Sequence, residues 1–586
     1  MVTLVSSFPE DKSTVLLAEC ALTAFAVAFS FLFPRLGSSW FARIERAFMR
    51  LARRPALAIA VVGFSAILLR AAIIPLFPVP IPAVPNDFSF LLAADTFAHG
   101  RLTNPMPAMW THFESIDITV QPTYMSMFFP GWGLALGAAQ AVFGQPWIAS
   151  LCLDGLMCAG ICWMLQSWLP PGWALLGGLL AALRLGLFTV WINTVSGGNG
   201  LLDAFAGALI LGALPRLLKS LRIRDGLLLS AGIGMLAITR PFEGLLLCIP
   251  VAVVLARWAW NGKNRPAPSV LFRCASLPLA LLFAFLAWLG YYDFRNFGSP
   301  ATLPYTVALD QYAVAPKFVF QRPLPEPAYR HPFMRRYYVE DELAHFNDIH
   351  SLSGYFPAIF GKFVFATFFL AGFALLPPLI MARRVWLDRR VRFLAVCAGM
   401  LVVAMLLESF FISEYLAPFT AVFYALGLQA MRHLRVWRPA GVPAGRAIVR
   451  LSIAVCVLVA AFTLLNAASR HAFGQPAFSR YEQPGGQRAQ TEARLEQLPG
   501  KQLVFVRYLP THDPLDIWVY NRADLDAAKV IWAWDMGPID NLVLMHYYPG
   551  RTAWLAQPDN TPAILVPYAV PAASLAGSPK PSGSGS

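Results

Sequence analysis

Apolar stretches of about twenty residues recur along the whole chain, and they constrain it more than any motif does. A helix needs roughly 20 mostly apolar residues to cross ~30 Å of hydrocarbon. In lipid the backbone has to satisfy its own hydrogen bonds, so such stretches are helical. Candidate spans fall at 13–34, 56–78, 147–168, 172–191, 201–218, 226–240, 242–258, 269–290, 357–381, 393–412, 415–432 and 448–467. That predicts an all-α bundle of about twelve transmembrane helices. Composition agrees, with 57% hydrophobic and 13% charged residues, where soluble proteins carry about 25% charged.

A formal charge of +14 raises nucleic acid as a partner. The bases, however, sit in short loops between apolar runs, and no Lys/Arg tract or nucleic-acid motif occurs. Basic loops face the cytoplasm. They are 35–54 (Arg35, Arg43, Arg46, Arg50, Arg53 and Arg54), 216–224, 257–265, 383–392 and 432–446. Segment 128–144 is apolar but holds Pro130, Gly131, Gly133 and Gly137. If it spanned, the loops at 216–224 and 257–265 would move outside. As an interfacial or re-entrant segment it leaves every basic loop on one side, which is the expectation adopted.

All eight cysteines lie in or beside apolar segments, as small packing residues rather than a disulfide or zinc framework. Glu10, Asp11 and Lys12 precede the first apolar run with no basic stretch before them. That run reads as a retained helix, not a cleaved signal.

Three large pieces then lie outside: 79–127, 291–356 and everything after about 468. Loops of this length in a compact bundle are usually functional. The first holds Asp87, Asp95, Glu114 and Asp117 against Arg101, opposite in sign to the cytoplasmic loops. The organisation expected is a membrane domain at 1–468, a linker at 469–500, a small α/β domain at 501–572 and a flexible tail at 573–586. The α/β reading rests on the short runs Leu503-Val504-Phe505-Val506, Val530-Ile531-Trp532-Ala533-Trp534 and Thr552-Ala553-Trp554-Leu555, with a helical stretch near 538–547. About ninety residues suffice for a modest core.

Asp87 stands at the membrane surface just after the second span. Such a carboxylate can take the proton from an attacking hydroxyl; it can equally cap the helix that follows. Arg70 lies in the outer half of the second span, and Arg240 and Glu243 lie at an outer turn. An arginine fork suits a lipid phosphate, whereas Arg240 and Glu243 at i,i+3 can simply pair. The loop 291–356 mixes Arg330 and other bases with aromatics that could wall a cleft or be solvated. His112, Glu114 and Asp117 are close enough in sequence for a metal, though a solvated loop explains them too.

The stretch Asp87-Phe88 followed by "LLAADTFAHGRL", then "MFFPGWGLALGAAQAVFG", together with "TRPFEGLLL" at 239–247, resembles the GT-C glycosyltransferase superfamily. The similar group contains the protein O-mannosyltransferases, the aminoarabinose transferases of lipid A and the RgtA/B/C/D-like bacterial proteins. The resemblance implies transfer of a sugar from a polyprenyl-phosphate, with inversion, to a lipid, glycan or protein acceptor. It places the chain in a bacterial inner membrane with its active site and C-terminal domain on the periplasmic side. Asp87 matches the catalytic base. Asn86 and Phe88 flank it, so the double-acid form of some members is absent and a divalent metal has no support from that motif; no cofactor follows. Asp203 is the first acid after the second short outer loop, Thr194-Val195-Ser196-Gly197-Gly198-Asn199-Gly200. Arg70, Asp95, His112, Glu114, Asp203, Arg240, Glu243 and Arg330 are the candidate substrate-binding residues, with none assigned to metal. A transporter or flippase of an anionic lipid-linked substrate is the alternative, needing the same intramembrane arginines but neither the long acidic loop nor an outer domain.

Overall fold

A computed structural model describes residues 10–261, 267–472 and 483–569. The tail predicted at 573–586 lies outside the described residues. Among those described, nine helices are long and apolar enough to cross a membrane, or ten if the bent pair Pro377–Leu387 and Arg392–Leu407 is one span. The chain is a multi-pass membrane protein. The number is below twelve because Ile223–Ala237 and Thr420–Arg435 are helical but only 15 and 16 residues long. The apolar run at 357–381 also ends as a helix at Leu370.

Proline punctuates the bundle. Pro55, Pro85, Pro130, Pro171, Pro241 and Pro268 each open a helix, where the missing N–H costs nothing and the fixed φ is already helical. The helix Pro130–Phe143 has 14 residues, about 21 Å at 1.5 Å per residue, too short to cross. It lies against the helix Pro85–Ala98.

The helix Gly198–Ser220 sits at the centre, with 67% of its apolar window buried, while Pro268–Phe297 is peripheral at 6%. Small residues let the spans close up. Gly63 faces Gly155, whose own Cβ would come within 2.7 Å of Ile67. Arg184 and Glu19, both inside spans, pair at 2.9 Å. Glu19 also accepts from the Ala374 N–H, beyond the end of the helix Leu352–Leu370.

Three of the basic loops, 35–54, 383–392 and 432–446, meet at one end. Glu45 pairs with Arg435 at 2.9 Å and Arg450 at 3.0 Å. Nearby, Asp388 lies 3.3 Å from His433. The long acidic and aromatic loops emerge from the other end.

The C-terminal region is a four-stranded sheet, ordered Val530–Trp534, Lys501–Val506, Arg551–Gln557 and Ile564–Pro567. The first three are parallel and the last antiparallel. Its central strand has no polar alternation because both faces are covered. Leu503 and Phe505 pack with Leu92, Phe113 and Tyr124 of the first outer loop. Val504 and Val506 pack with Leu495, Phe88 and Phe333. The core expected to be the domain's own is thus shared with the outer loops. Part of the stretch expected to be linker, Gln483–Gln497, is a helix of this unit. Its buried Arg488 donates to the carbonyls of Trp518 and Tyr520.

Candidate functional site

Asp87 is the third residue of the helix Pro85–Ala98 and is 2% exposed. Its Oδ2 accepts from the Ala83 N–H at 3.1 Å, a back-bond of the kind an N3 acid makes to the chain before a helix. Its Oδ1 accepts from the Ser196 N–H at 2.7 Å. Of the two alternatives read from the sequence, the hydrogen bond to Ala83 is the helix-capping one; the side chain also faces the loop at Ser196. Burial pushes its carboxyl above the ordinary carboxylate range, and the Ser196 and Ala83 hydrogen bonds pull the other way.

That loop is fastened from several sides. Trp132 Nε1 donates to Val195 O and Trp147 Nε1 to Ile192 O. Arg70 supplies another tie. It is fully buried; Nη1 donates to Phe77 O and Nη2 to Asn193 Oδ1, each at 3.0 Å. The guanidinium lies over the Trp147 ring, 4.8 Å from its centroid. Placed there, it joins the end of the second span to the loop that meets Asp87.

Beside Asp87 is a buried ionic cluster. Arg240 Nε is 4.0 Å from Asp203 Oδ2, and Nη1 is 4.0 Å from Glu243 Oε1. The guanidinium stands over the Tyr415 ring at 4.8 Å. Thr239 donates to Asp203 Oδ1 at 2.5 Å. The loop 291–356 enters through a short antiparallel contact: Ser409 N–H donates to Lys317 O and Val319 N–H to Leu407 O. This sets Lys317 and Glu408 beside each other, with the Lys317 ammonium 4.7 Å from the Tyr305 ring. Lys362 donates to the carbonyls of Met405 and Glu408. Glu414, held by Ser413 at 3.1 Å, feels the charges of both Arg240 and Asp87.

Burying so many charges is expensive unless they are paired. Here Asp203 Oδ2, Arg240 Nε, Glu243 Oε1 and both Glu408 oxygens are buried without a protein hydrogen-bond partner. Charged groups kept this way mark functional sites more often than structural ones.

The remaining predicted residues go elsewhere. Asp95 accepts from Gln140 Nε2 at 3.1 Å and from the Ala523 N–H of the C-terminal unit at 2.9 Å, so it clamps that unit to the first loop. His112 is buried beside the C-terminal unit, and burial lowers its pKa despite the charge of Asp540. Glu114 and Arg330 come together, Nη1 to Oε1 at 3.9 Å, with His331. Among the described residues no three His, Cys, Asp or Glu side chains converge as metal ligands. Asp117 instead faces Glu342. Burial lifts Asp117 to about 7; burial and then the Asp117 charge lift Glu342 to about 8.

Lys317, Glu408, Glu414 and Tyr415 were not singled out in the sequence. A signal existed for Glu408 and Lys362, which are charges in otherwise apolar runs. Lys317 had none, since its loop is long and polar.

No family model matches the chain, and no curated protein matches it. Solved structures do. ArnT from Cupriavidus metallidurans bound to undecaprenyl phosphate is 13% identical with a TM-score of 0.47, over 89% of this chain and 93% of that one. Its apo state gives 12% and 0.45, over 85% and 93%. The Archaeoglobus fulgidus oligosaccharyltransferase, tethered with an acceptor peptide containing the NVT sequon, gives 12% and 0.42. That match covers 77% of this chain and 62% of the oligosaccharyltransferase, so the chain spans less than two thirds of that protein's length.

Proposed function

We propose that this chain is a membrane glycosyltransferase that moves a sugar from a polyprenyl-phosphate donor to an acceptor hydroxyl at the extracytoplasmic face. The observation that carries the reading is the placement of Asp87. A buried carboxylate held by two backbone N–H groups acts on Glu414 of a buried cluster of mixed charge that holds Arg240 and Lys317. The motifs quoted above for the GT-C resemblance contribute Asp87 and Arg240 to it.

The chemistry is one displacement. The acceptor oxygen bonds to the anomeric carbon while the bond from that carbon to the phosphate oxygen breaks. Asp87 receives the hydroxyl proton, and the electron pair leaves on the polyprenyl phosphate. A single displacement inverts the anomeric centre. Raised basicity suits Asp87 to its task, and the phosphate is already an anion, so no general acid is required. Arg240 and Lys317 supply the charge that holds it. Arg70 acts as a positioning residue through Asn193 and the loop.

The test is transfer of radiolabelled sugar from polyprenyl-phosphate into a covalent product, in membranes or proteoliposomes. Asp87→Asn keeps the size but removes the base, and loses about 10²–10⁴ in rate. Undiminished transfer by that variant removes Asp87 from the role. Failure of the native chain to make product with any polyprenyl-phosphate sugar, alongside movement of lipid-linked substrate across the bilayer, favours a flippase.

A further inference from the structure

The helix Gln483–Gln497 belongs to the C-terminal unit, yet it reaches the segment that carries Asp87. On one side it is fixed to its own unit. Gln487 Oε1 accepts from the Ala563 N–H at 2.8 Å, and Leu495 is buried with Val504 and Trp532. On the other side a glycine meets backbone. A Cβ on Gly485 would lie 2.2 Å from Pro82 O and 3.0 Å from Ala83 Cα, so the helix seats directly on the chain at 82–83. Ala83 is the residue whose N–H donates to Asp87 Oδ2.

A second contact runs through Phe88, the residue after Asp87. Arg488 is buried, and its guanidinium is fully held. Nε and Nη2 donate to Trp518 O and Tyr520 O, each at 3.0 Å, and Nη1 donates to Glu492 Oε2 at 2.8 Å. In that position it lies 4.9 Å from the centroid of the Phe88 ring and 4.9 Å from that of Trp532, in the strand Val530–Trp534. The Tyr520 ring packs on Phe88 as well, with centroids 4.7 Å apart. The sheet thus grips Phe88 through Arg488 and Tyr520.

Asp87 therefore stands between two points, Ala83 and Phe88, that the C-terminal unit touches. Glycine inside a helix is unfavourable relative to alanine. At 485 only glycine fits against the Pro82 carbonyl, whereas nothing lies within 4 Å of a Cβ on Gly486. We infer that Gly485 and Arg488 are positioning residues for the proton transfer at Asp87, acting through Ala83 and Phe88 to fix where its carboxylate stands. As a statement about catalysis this rests on the glycosyl-transfer reading; as a statement about the Asp87 carboxyl it does not.

The full-length protein in nanodiscs is titrated by infrared spectroscopy, the Asp87 carboxyl being the band that Asp87→Asn removes. The pH–rate profile of transfer is recorded beside it. Gly485→Ala pushes the backbone at 82–83 away and weakens the Ala83 hydrogen bond, which favours the ionised form of Asp87. The infrared midpoint and the acid limb of the profile then both move up by about one pH unit, since one hydrogen bond to a carboxylate is worth roughly tenfold or more. Arg488→Lys keeps the charge but loses the fork. It frees Phe88 and the first turn with it, moves both readouts the same way, and decides the matter if Gly485→Ala fails to reach the membrane. Gly486→Ala, one residue on, leaves both at their native values. The inference is overturned if neither Gly485→Ala nor Arg488→Lys moves the midpoint, or if Gly486→Ala moves it as far. A moved midpoint in a chain that transfers no sugar keeps the positioning and removes the transfer reading; transfer with an unmoved midpoint does the reverse.

Discussion

At the scale of single residues, the outer end of the bundle is governed by where carboxylates are buried. Asp87 works as a base only when ionised, and its raised pKa means that it protonates at a higher pH than the ordinary value near ~4. The rate of transfer therefore falls as pH drops through that raised value. A pH–rate profile of the native chain checks this; an acid limb at or below about 4 contradicts it. Asp117 and Glu342 make a separate pair, surrounded by Tyr305, Tyr337 and Tyr338. Their folded pKa values lie above those of an unfolded chain, so the folded state binds protons more tightly. Stability thus increases as pH falls from about 8 towards 4. Asp117 has φ of 64°, a left-handed conformation that asparagine tolerates well. Asp117→Asn should raise the unfolding midpoint at pH 8.5 by the equivalent of about 1 kcal/mol or more and flatten its pH dependence. Arg70→Ala should cost about 1–3 kcal/mol, since it removes the hydrogen bonds to Phe77 O and Asn193 Oδ1. It should also lower the rate of transfer by loosening the loop at Ser196 while leaving donor affinity near native. Thermal unfolding and a donor titration separate those effects; a selective loss of donor affinity would return Arg70 to the phosphate.

At the scale of elements, the site depends on how closely the helix Pro130–Phe143 approaches the turn before Pro241. Gly131 donates its N–H to Ile238 O at 2.8 Å. A Cβ there would lie 2.4 Å from Thr239 Cγ2 and 2.9 Å from Ile238 O. Backbone has to move to admit it, and Thr239 is the donor to Asp203. Gly131→Ala should cost about 1–3 kcal/mol and reduce transfer by shifting Asp203 and Arg240. Gly427→Ala is the matched control, because nothing lies within 4 Å of that position and it sits inside the helix Thr420–Arg435. It should be neutral or gain up to about 1 kcal/mol from helix propensity. Equal effects of the two, measured by thermal unfolding in detergent, would deny the close approach its importance.

For the whole molecule, the C-terminal sheet is part of the roof of the outer loops. Besides the Asp95–Ala523 clamp, Tyr124 OH donates to Asn521 O at 3.0 Å and Trp534 Nε1 to Glu114 O at 2.7 Å. Truncation after residue 472 strips apolar cover from Phe88, Phe113 and Ile118. It should make the loop 79–127 sensitive to limited proteolysis; a loop that stays resistant would show that the membrane helices hold it unaided. The segregation of basic loops at one end also sets an expected orientation. A reporter fused after residue 472 should be active only as an extracytoplasmic reporter, and cytoplasmic activity would place the Asp87 end inside.

The membrane architecture was legible in the sequence because entry into lipid is decided locally, by the composition of one window of about twenty residues. Local patterns likewise exposed Asp87 at the start of its loop, the short segment at 128–144 and the strands near 503 and 530, though not their parallel pairing. The window rule overcounted spans where helices proved short, at 223–237 and 420–435. Partners were not legible. Arg184 reads as a lone charge until Glu19, 165 residues away, is packed against it. Arg240 reads as half of an i,i+3 pair until Asp203, Glu408, Glu414 and Lys317 arrive from other segments. The helix Gln483–Gln497 is polar enough to pass for linker, and Gln487, Arg488, Leu495 and Glu496 fasten it to the C-terminal unit. Hydrophobic run length by itself determined that this chain is a helical membrane bundle. Apart from the neighbours Arg240 and Glu243, which buried charge meets which was decided by tertiary packing, because those pairings join segments that no local window contains.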